Sequence, residues 1–293
     1  MKKAIISAVL MATTALASAQ VTVYGRINAT VDSTKTGANT VNSIVNDASR
    51  IGFRVTEDLG SGLSARAVIE TSVNSNDPTA GSDTQLGNRH STVGLANRAG
   101  SVDLGRQLHG LFSTVAAGDA FGAAYGTLTS DVHNMRGNRL GNAVFVRFTA
   151  LPGVSAGVDR THTATGAEAT VYSAQATVAG VAVGVARFDQ GAEKSTVASA
   201  AVTQGATGVF YSYSDNQGTA GRKGHLVSVS HRVGVVTAKA GYGRTNTDVQ
   251  AYNVGAEYAL SKRTDLLVSY RNVDAAGASN DVKQVGVGIT HRF

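Results

Sequence analysis

The 293-residue chain has no cysteine, no tryptophan and only two prolines. Without cysteine it can build neither a disulfide framework nor a thiolate metal site. After Ala19 no apolar run approaches the roughly 20 residues that a membrane-spanning helix needs, so any crossing of a bilayer has to be made by strands. The one Gly-x-Ser-x-Gly, Gly153-Val154-Ser155-Ala156-Gly157, opens an alternating segment and not a strand-to-helix elbow; no His-Glu-x-x-His occurs, and the seven histidines are scattered along the chain. The glycine pairs do not sit in a strand-to-helix phosphate loop. The net charge of +6 is small and spread over alternating segments, which argues against nucleic acid as a partner. No linker or low-complexity tract divides the chain. Catalysis and cofactor or metal binding therefore have no motif to rest on.

What is present begins with a leader. Lys2 and Lys3 precede the mostly apolar Ala4–Leu16, and Ala17-Ser18-Ala19 is a small-residue cleavage site. This is the pattern of a secretory signal peptide over 1–19, leaving 20–293 as one exported domain. From there the chain repeats a pattern of about ten residues with dyad alternation, weakest over 194–204. Val21, Val23, Ile27, Ala29 and Val31 share one face of the first segment, and Thr22, Tyr24, Arg26, Asn28 and Thr30 the other. Sixteen such segments are expected: 21–33, 48–58, 62–73, 87–98, 100–109, 139–149, 153–163, 168–179, 180–190, 194–204, 206–216, 223–233, 234–246, 249–261, 263–274 and 281–293. Mean hydropathy is −0.02, the near-zero average expected when lipid-facing apolar residues alternate with lumen-facing polar ones. The fold class is all-β, a transmembrane antiparallel barrel.

The connections differ at the two ends. Those after even-numbered segments are tiny, such as Leu59-Gly60-Ser61. Those after odd-numbered ones are often long: 34–47, 75–86, 110–138 and 275–280. Short turns on one rim and long loops on the other are the mark of an outer-membrane barrel. The span 110–138 is the one long stretch that does not read as strand, turn, strand, and it is expected to fold into the lumen and narrow a channel. Tyr213, Tyr242, Tyr258, Tyr270 and Phe293 are candidates for the interfacial aromatic girdle.

Three motifs give the chain a family likeness. Ser49-Arg50-Ile51-Gly52-Phe53-Arg54 with Glu57-Asp58-Leu59-Gly60 resembles the second strand and first turn of the general porins of the Gram-negative outer membrane. Val93-Gly94-Leu95 leading to Val102-Asp103-Leu104-Gly105-Arg106-Gln107 resembles their fourth and fifth strands. The terminal Phe293 is similar to the aromatic that such proteins present to the outer-membrane insertion machinery. The opening Val21-Thr22-Val23-Tyr24-Gly25 points to one branch of that family. The resemblance covers the chain from residue 20 onward and implies a homotrimer of sixteen-stranded diffusion pores with an inward third loop. That loop departs from the family's Pro-Glu-Phe-Gly-Gly run, having Gly118-Asp119-Ala120-Phe121-Gly122 instead.

A pore selects by its bore and by the charges at its narrowest point. Arg50 and Arg54 share the lumen face of the second segment, about 13 Å apart along the wall. Arg26 and Arg66 face the lumen from neighbouring segments, the latter within reach of Glu70, and Lys239 extends the basic track. By resemblance, Arg50 and Arg89 match the arginine ladder opposite the third loop. Arg136 and Arg139 fall where that loop rejoins the barrel, and Asp119, with Asp131, is expected to face them from it. Strict alternation from Val93 and Leu95 turns Arg89 outward, so its lumen role requires a bulge or a strand that starts elsewhere. Arg106 shares the outward parity of Val102 and Leu104, where a charge at bilayer depth is costly, and is assigned to a subunit contact. The excess of arginine implies anion preference, because guanidinium stays charged and is weakly hydrated. The expected partners are small hydrophilic solutes and anions, outer-membrane lipid and lipopolysaccharide. The alternatives are a substrate-specific uptake channel, disfavoured by 6% aromatics, and a barrel enzyme or adhesin.

Overall fold

Alternation becomes a wall when each strand is held on both sides. The computed structural model describes residues 19–77, 85–134, 138–162, 168–218, 221–275 and 281–293; the leader lies almost wholly outside these residues. The strands are β1 (Gln20–Thr36), β2 (Asn39–Asn46), β3 (Arg50–Gly60), β4 (Leu63–Ser72), β5 (His90–Asn97), β6 (Gly100–Leu108), β7 (Arg139–Phe148), β8 (Val154–Thr161) and β9 (Thr170–Val178). They continue with β10 (Val181–Gln190), β11 (Glu193–Gln204), β12 (Thr207–Gln217), β13 (Arg222–Val233), β14 (Val236–Thr245), β15 (Gln250–Ala259), β16 (Thr264–Asp274) and β17 (Val282–Arg292). Helices α1 (Gly110–Ala117) and α2 (Thr129–His133) lie between β6 and β7.

Each strand pairs antiparallel with its neighbours, and β17 returns to β1 over Arg26↔Arg292 to Thr36↔Val282. Both β2 and β3 pair with β1 and form a single arm. The register steps by one residue between Ala29↔Asn46 and Arg26↔Arg50, a bulge centred on Ala48, whose φ is 53°. The barrel therefore has sixteen arms. The weakly patterned segment 194–204 appears as β11, paired along its length with β10 and β12.

One expected connection is overturned. The stretch 34–47 is not a long loop: β1 and β2 continue as a hairpin turning at Gly37-Ala38. Its Ser, Thr and Asn residues obscure the alternation. The asymmetry of the two ends otherwise stands, with 73–89 and 109–138 long on one rim and 61–62, 98–99 and 179–180 short on the other.

Outward side chains such as Val93, Leu104, Val287 and Tyr258 are about half exposed, as lipid-facing residues are in an isolated barrel. The buried apolar core lies inside the lumen, under the third loop. Leu111 and Val115 of α1 pack with Leu140, Phe145, Val171, Phe188 and Val197 of the wall. Leu128 and Val132 around α2 pack with Leu226, Ala251 and Val273. Two apolar patches thus hold the inserted loop, each fully buried side chain contributing about 1.5–3 kcal/mol.

Phe145 is fully buried beneath α1, so Phe145→Ala should cost about 3–5 kcal/mol. The reading is a lower urea midpoint for the detergent-solubilised barrel. A loss under about 1 kcal/mol would mean that α1 and the wall do not share a packed core.

Candidate pore constriction

The arginines converge because several arms end at the same level. Arg50 opens β3 just after the bulge. Its Nε lies 3.6 Å from Glu70 Oε2, while Arg89 Nε lies 2.7 Å from Glu70 Oε1 and the Tyr24 hydroxyl donates to Oε2 at 3.1 Å. Arg89 sits one residue before β5, with its N–H on the Glu70 carbonyl at 3.1 Å. Alternation does not bind a residue outside the ladder, which resolves its parity conflict and lets it turn into the lumen. Arg139 opens β7, and its Nε donates to the Arg89 carbonyl at 2.7 Å. Arg26 is tied by Nη2 to Asp47 Oδ2 at 3.2 Å and by Nε to the Ala48 carbonyl at 3.2 Å, so the bulge places it. Arg54 lies in the lumen with its guanidinium 5.1 Å from the Tyr24 ring centroid.

A space of about 590 Å³ separates this wall from the loop. Arg26, Arg50, Arg89 and Arg139 line one side, with Phe112, Ala123, Thr127 and Ser130 on the other. Among the described residues no carboxylate of the loop faces the arginines across it. Asp119, expected there, is 3% exposed. Its oxygens accept from the amides of Phe121 at 3.0 Å and Ala123 at 3.1 Å and from the hydroxyls of Thr127 at 2.6 Å and Thr129 at 3.2 Å. It shapes the turn of the loop; a lone acid amid Gly and Ala gave no sign of these amide donors in the sequence. Asp131 also points away, to Arg271 of β16 at 2.8 Å. Burial pushes its carboxyl upward, opposed by Arg271.

Two further contacts fasten the loop. The Tyr125 hydroxyl donates to Asp32 Oδ1 at 2.7 Å and its N–H to Asp47 Oδ2 at 3.1 Å. His133, fully buried, shares its ring nitrogens with the Ser214 and Ser212 hydroxyls, each at 2.8 Å.

Arg66 faces the lumen as expected, but its partner is Asp103 of β6, with Nε to Oδ1 at 2.7 Å, and not Glu70. Lys239 faces inward, 2.6 Å from Glu257 Oε1. Arg106 lies on the outward face at a bulge and donates from Nε to the Asn88 carbonyl of its own chain at 2.7 Å. Arg136 lies outside the described residues. Phe293 closes the barrel through reciprocal backbone bonds with Gly25 at 3.0 and 3.1 Å. Arg147 was missed: it lines a second space of about 380 Å³ with Arg50, Arg66, Arg89 and Arg139. The alternation of Val144, Val146 and Phe148 against Ala143, Phe145 and Arg147 carried the signal.

A closed, water-lined antiparallel barrel narrowed by an internal loop defines the pore-forming class of outer-membrane proteins. The profile of the Gram-negative porin family matches residues 7–278. The chain is 37% identical over 115 residues to the major outer membrane protein P.IB of Neisseria meningitidis, a stretch covering 36% of this chain and 34% of that relative. The match thus spans about a third of the relative's length. Among solved structures, the fold is similar to an anion-selective porin from Comamonas acidovorans (TM-score 0.78, 20% identity, 94% of this chain and 100% of that one). It is also similar to the trimer form of OmpT of Vibrio cholerae (TM-score 0.68, 15% identity, 94% and 100%). The chain belongs to the Gram-negative porin family and is an outer-membrane protein.

Two outcomes follow from this geometry. Asp119→Ala should leave the reversal potential in a salt gradient unchanged while making single-channel current noisier, because the loop loses its tie and the pore loses no lining charge. A shift toward anions would instead put Asp119 in the bore. Burial, with Arg222 adding repulsion, lowers the His133 imidazole to about 4, against about 6.5 for a free histidine. Its neutral form therefore contributes fully above pH 6.5, and that contribution is lost as pH falls toward 4, at up to about 1.4 kcal/mol per unit. Urea midpoints should fall over that window in the parent and less in His133→Gln; equal slopes would contradict the assignment.

Proposed function

We propose that the barrel is a passive diffusion channel for small hydrophilic solutes, with a preference for anions. The observation that carries this reading is the constriction, where Arg26, Arg50, Arg89 and Arg139 face a loop whose described side chains there are uncharged. Glu70, shared between two guanidiniums, and Asp47, paired with Arg26, offset part of the charge. Guanidinium is weakly hydrated and offers an anion several N–H donors in place of part of its water shell. The similarity to a porin whose own description is anion-selective agrees with this reading.

The working form is a homotrimer, as in the trimer form of the structural relative. Arg106, holding the second outer connection at Asn88, belongs to the subunit contact in this reading. The remaining outward face meets outer-membrane lipid and lipopolysaccharide, and Phe293 is the residue offered to the insertion machinery.

The test is the reversal potential in a planar bilayer under a tenfold KCl gradient. The parent should prefer chloride. Arg50→Ala and Arg89→Ala should each lower the chloride-to-potassium permeability ratio about two- to fivefold, since one charge at ~4 Å in water is worth ~1 kcal/mol. The effect should shrink above ~0.1 M salt as screening shortens to about 10 Å. Potassium preference in the parent would refute the anion reading, and absence of conductance would refute the channel.

A further inference from the structure

We propose a second selectivity tier, formed by Arg66 and Arg147 on the periplasmic side of the constriction; the inference rests on the anion-preferring reading above. Arg66 lies near the periplasmic end of β4 and Arg147 near that of β7, well below Arg50, Arg89 and Arg139 at the opposite ends of their arms. Both line the space of about 380 Å³ that continues from the constriction.

The tier is built across adjacent arms. Arg66, Gly94 and Asp103 stand opposite one another on β4, β5 and β6. Arg66 reaches over Gly94 to Asp103, and its Nη2 also donates to the Ser101 hydroxyl at 2.8 Å. Ser101 stands opposite Arg147, which stands opposite Gly157. The Arg147 side chain passes over that glycine, where a Cβ would come within 2.7 Å of Nη1, and pairs with Asp159. Gly94 on the intervening β5 makes room for the first crossing, and Gly157, two residues before Asp159 on β8 itself, for the second.

Exposure gives the pairs their polarity. The side chains of Arg66 and Arg147 are 36% and 27% exposed, against 3% and 0% for Asp103 and Asp159. Asp159 is turned to the loop root, where its Oδ2 accepts the Gly110 N–H at 2.9 Å. Each pair is neutral as a sum, but the pore meets the guanidinium first and the carboxylate behind it. A chloride ~4 Å from the first and ~8 Å from the second keeps about half the attraction of an unpaired arginine, a roughly twofold local enrichment per pair. Arg66 and Arg147 are thus selectivity residues in the ion path, while Asp159 also positions α1.

The test measures reversal potentials in KCl for the parent, for the fourfold variant Arg66→Gln, Asp103→Asn, Arg147→Gln, Asp159→Asn, and for Asp103→Asn alone. The neutral isosteres orphan no buried charge, and Asn at 159 keeps an acceptor for Gly110. The fourfold variant should lose about fourfold in chloride-to-potassium permeability, roughly twofold for each pair removed, with single-channel conductance little changed. Asp103→Asn, which unmasks Arg66, should raise the ratio about twofold and serves as the reading if the fourfold variant does not fold. A parent that prefers chloride, with both variants at the parental ratio, would overturn the tier and leave the constriction standing. A parent that prefers potassium would overturn the anion reading itself.

Discussion

Closure of the hydrogen-bonded wall is the constraint from which the rest follows. In hydrocarbon an unpaired backbone group costs several kcal/mol, so a strand protein can cross only if its first and last arms meet. Here β1 meets β17 over eleven residue pairs, and Phe293 completes the seam through Gly25. Closure sends alternate side chains into a shared aqueous interior. The same charges would be costly on the lipid face, so the arginine cluster is affordable only inside.

Most of the interior acids do structural work. Asp119 ties the loop to itself. Asp32 and Asp47 receive Tyr125, Asp131 holds Arg271, and Asp159 joins the wall to the first amide of α1. Asp32, Asp103, Asp119 and Asp159 end up buried. These four serve as struts withdrawn from water, while Asp47 and Glu70 stay beside Arg26, Arg50 and Arg89 at the constriction. In the proposed anion-preferring reading, structural work by much of one sign of charge leaves the field offered to a solute mainly to the other. The apolar patches beneath α1 and α2 reinforce this by fixing the loop against the wall.

Much of the architecture was legible because lipid and water impose a period of two on every spanning residue. The arms from Leu63 to the terminus fall within a few residues of the alternating segments. The signal failed where that two-sided environment ends. Asn39–Asn46 has strand pairing but mixed Ser, Thr and Asn residues, and so passed for a loop. Arg89 stands just off the ladder, where parity has no force. Asp119 was visible as a charge, but its burial depends on amides brought round by the loop's own turn. Arg66 was rightly placed in the lumen and given the wrong acid, because the partner that β5 separates from it is invisible in a single segment. Arg147 was present in the alternation and simply not weighed.

The most direct test of the account is crystallographic: soak crystals in rubidium bromide and locate both ions by anomalous scattering. The account predicts bromide against the guanidiniums of Arg50, Arg89 and Arg139, on the side facing Thr127 and Ser130, with no rubidium there. Rubidium at the constriction, with bromide absent, would mean that carboxylates control the bore and that the arginine wall is neutralised.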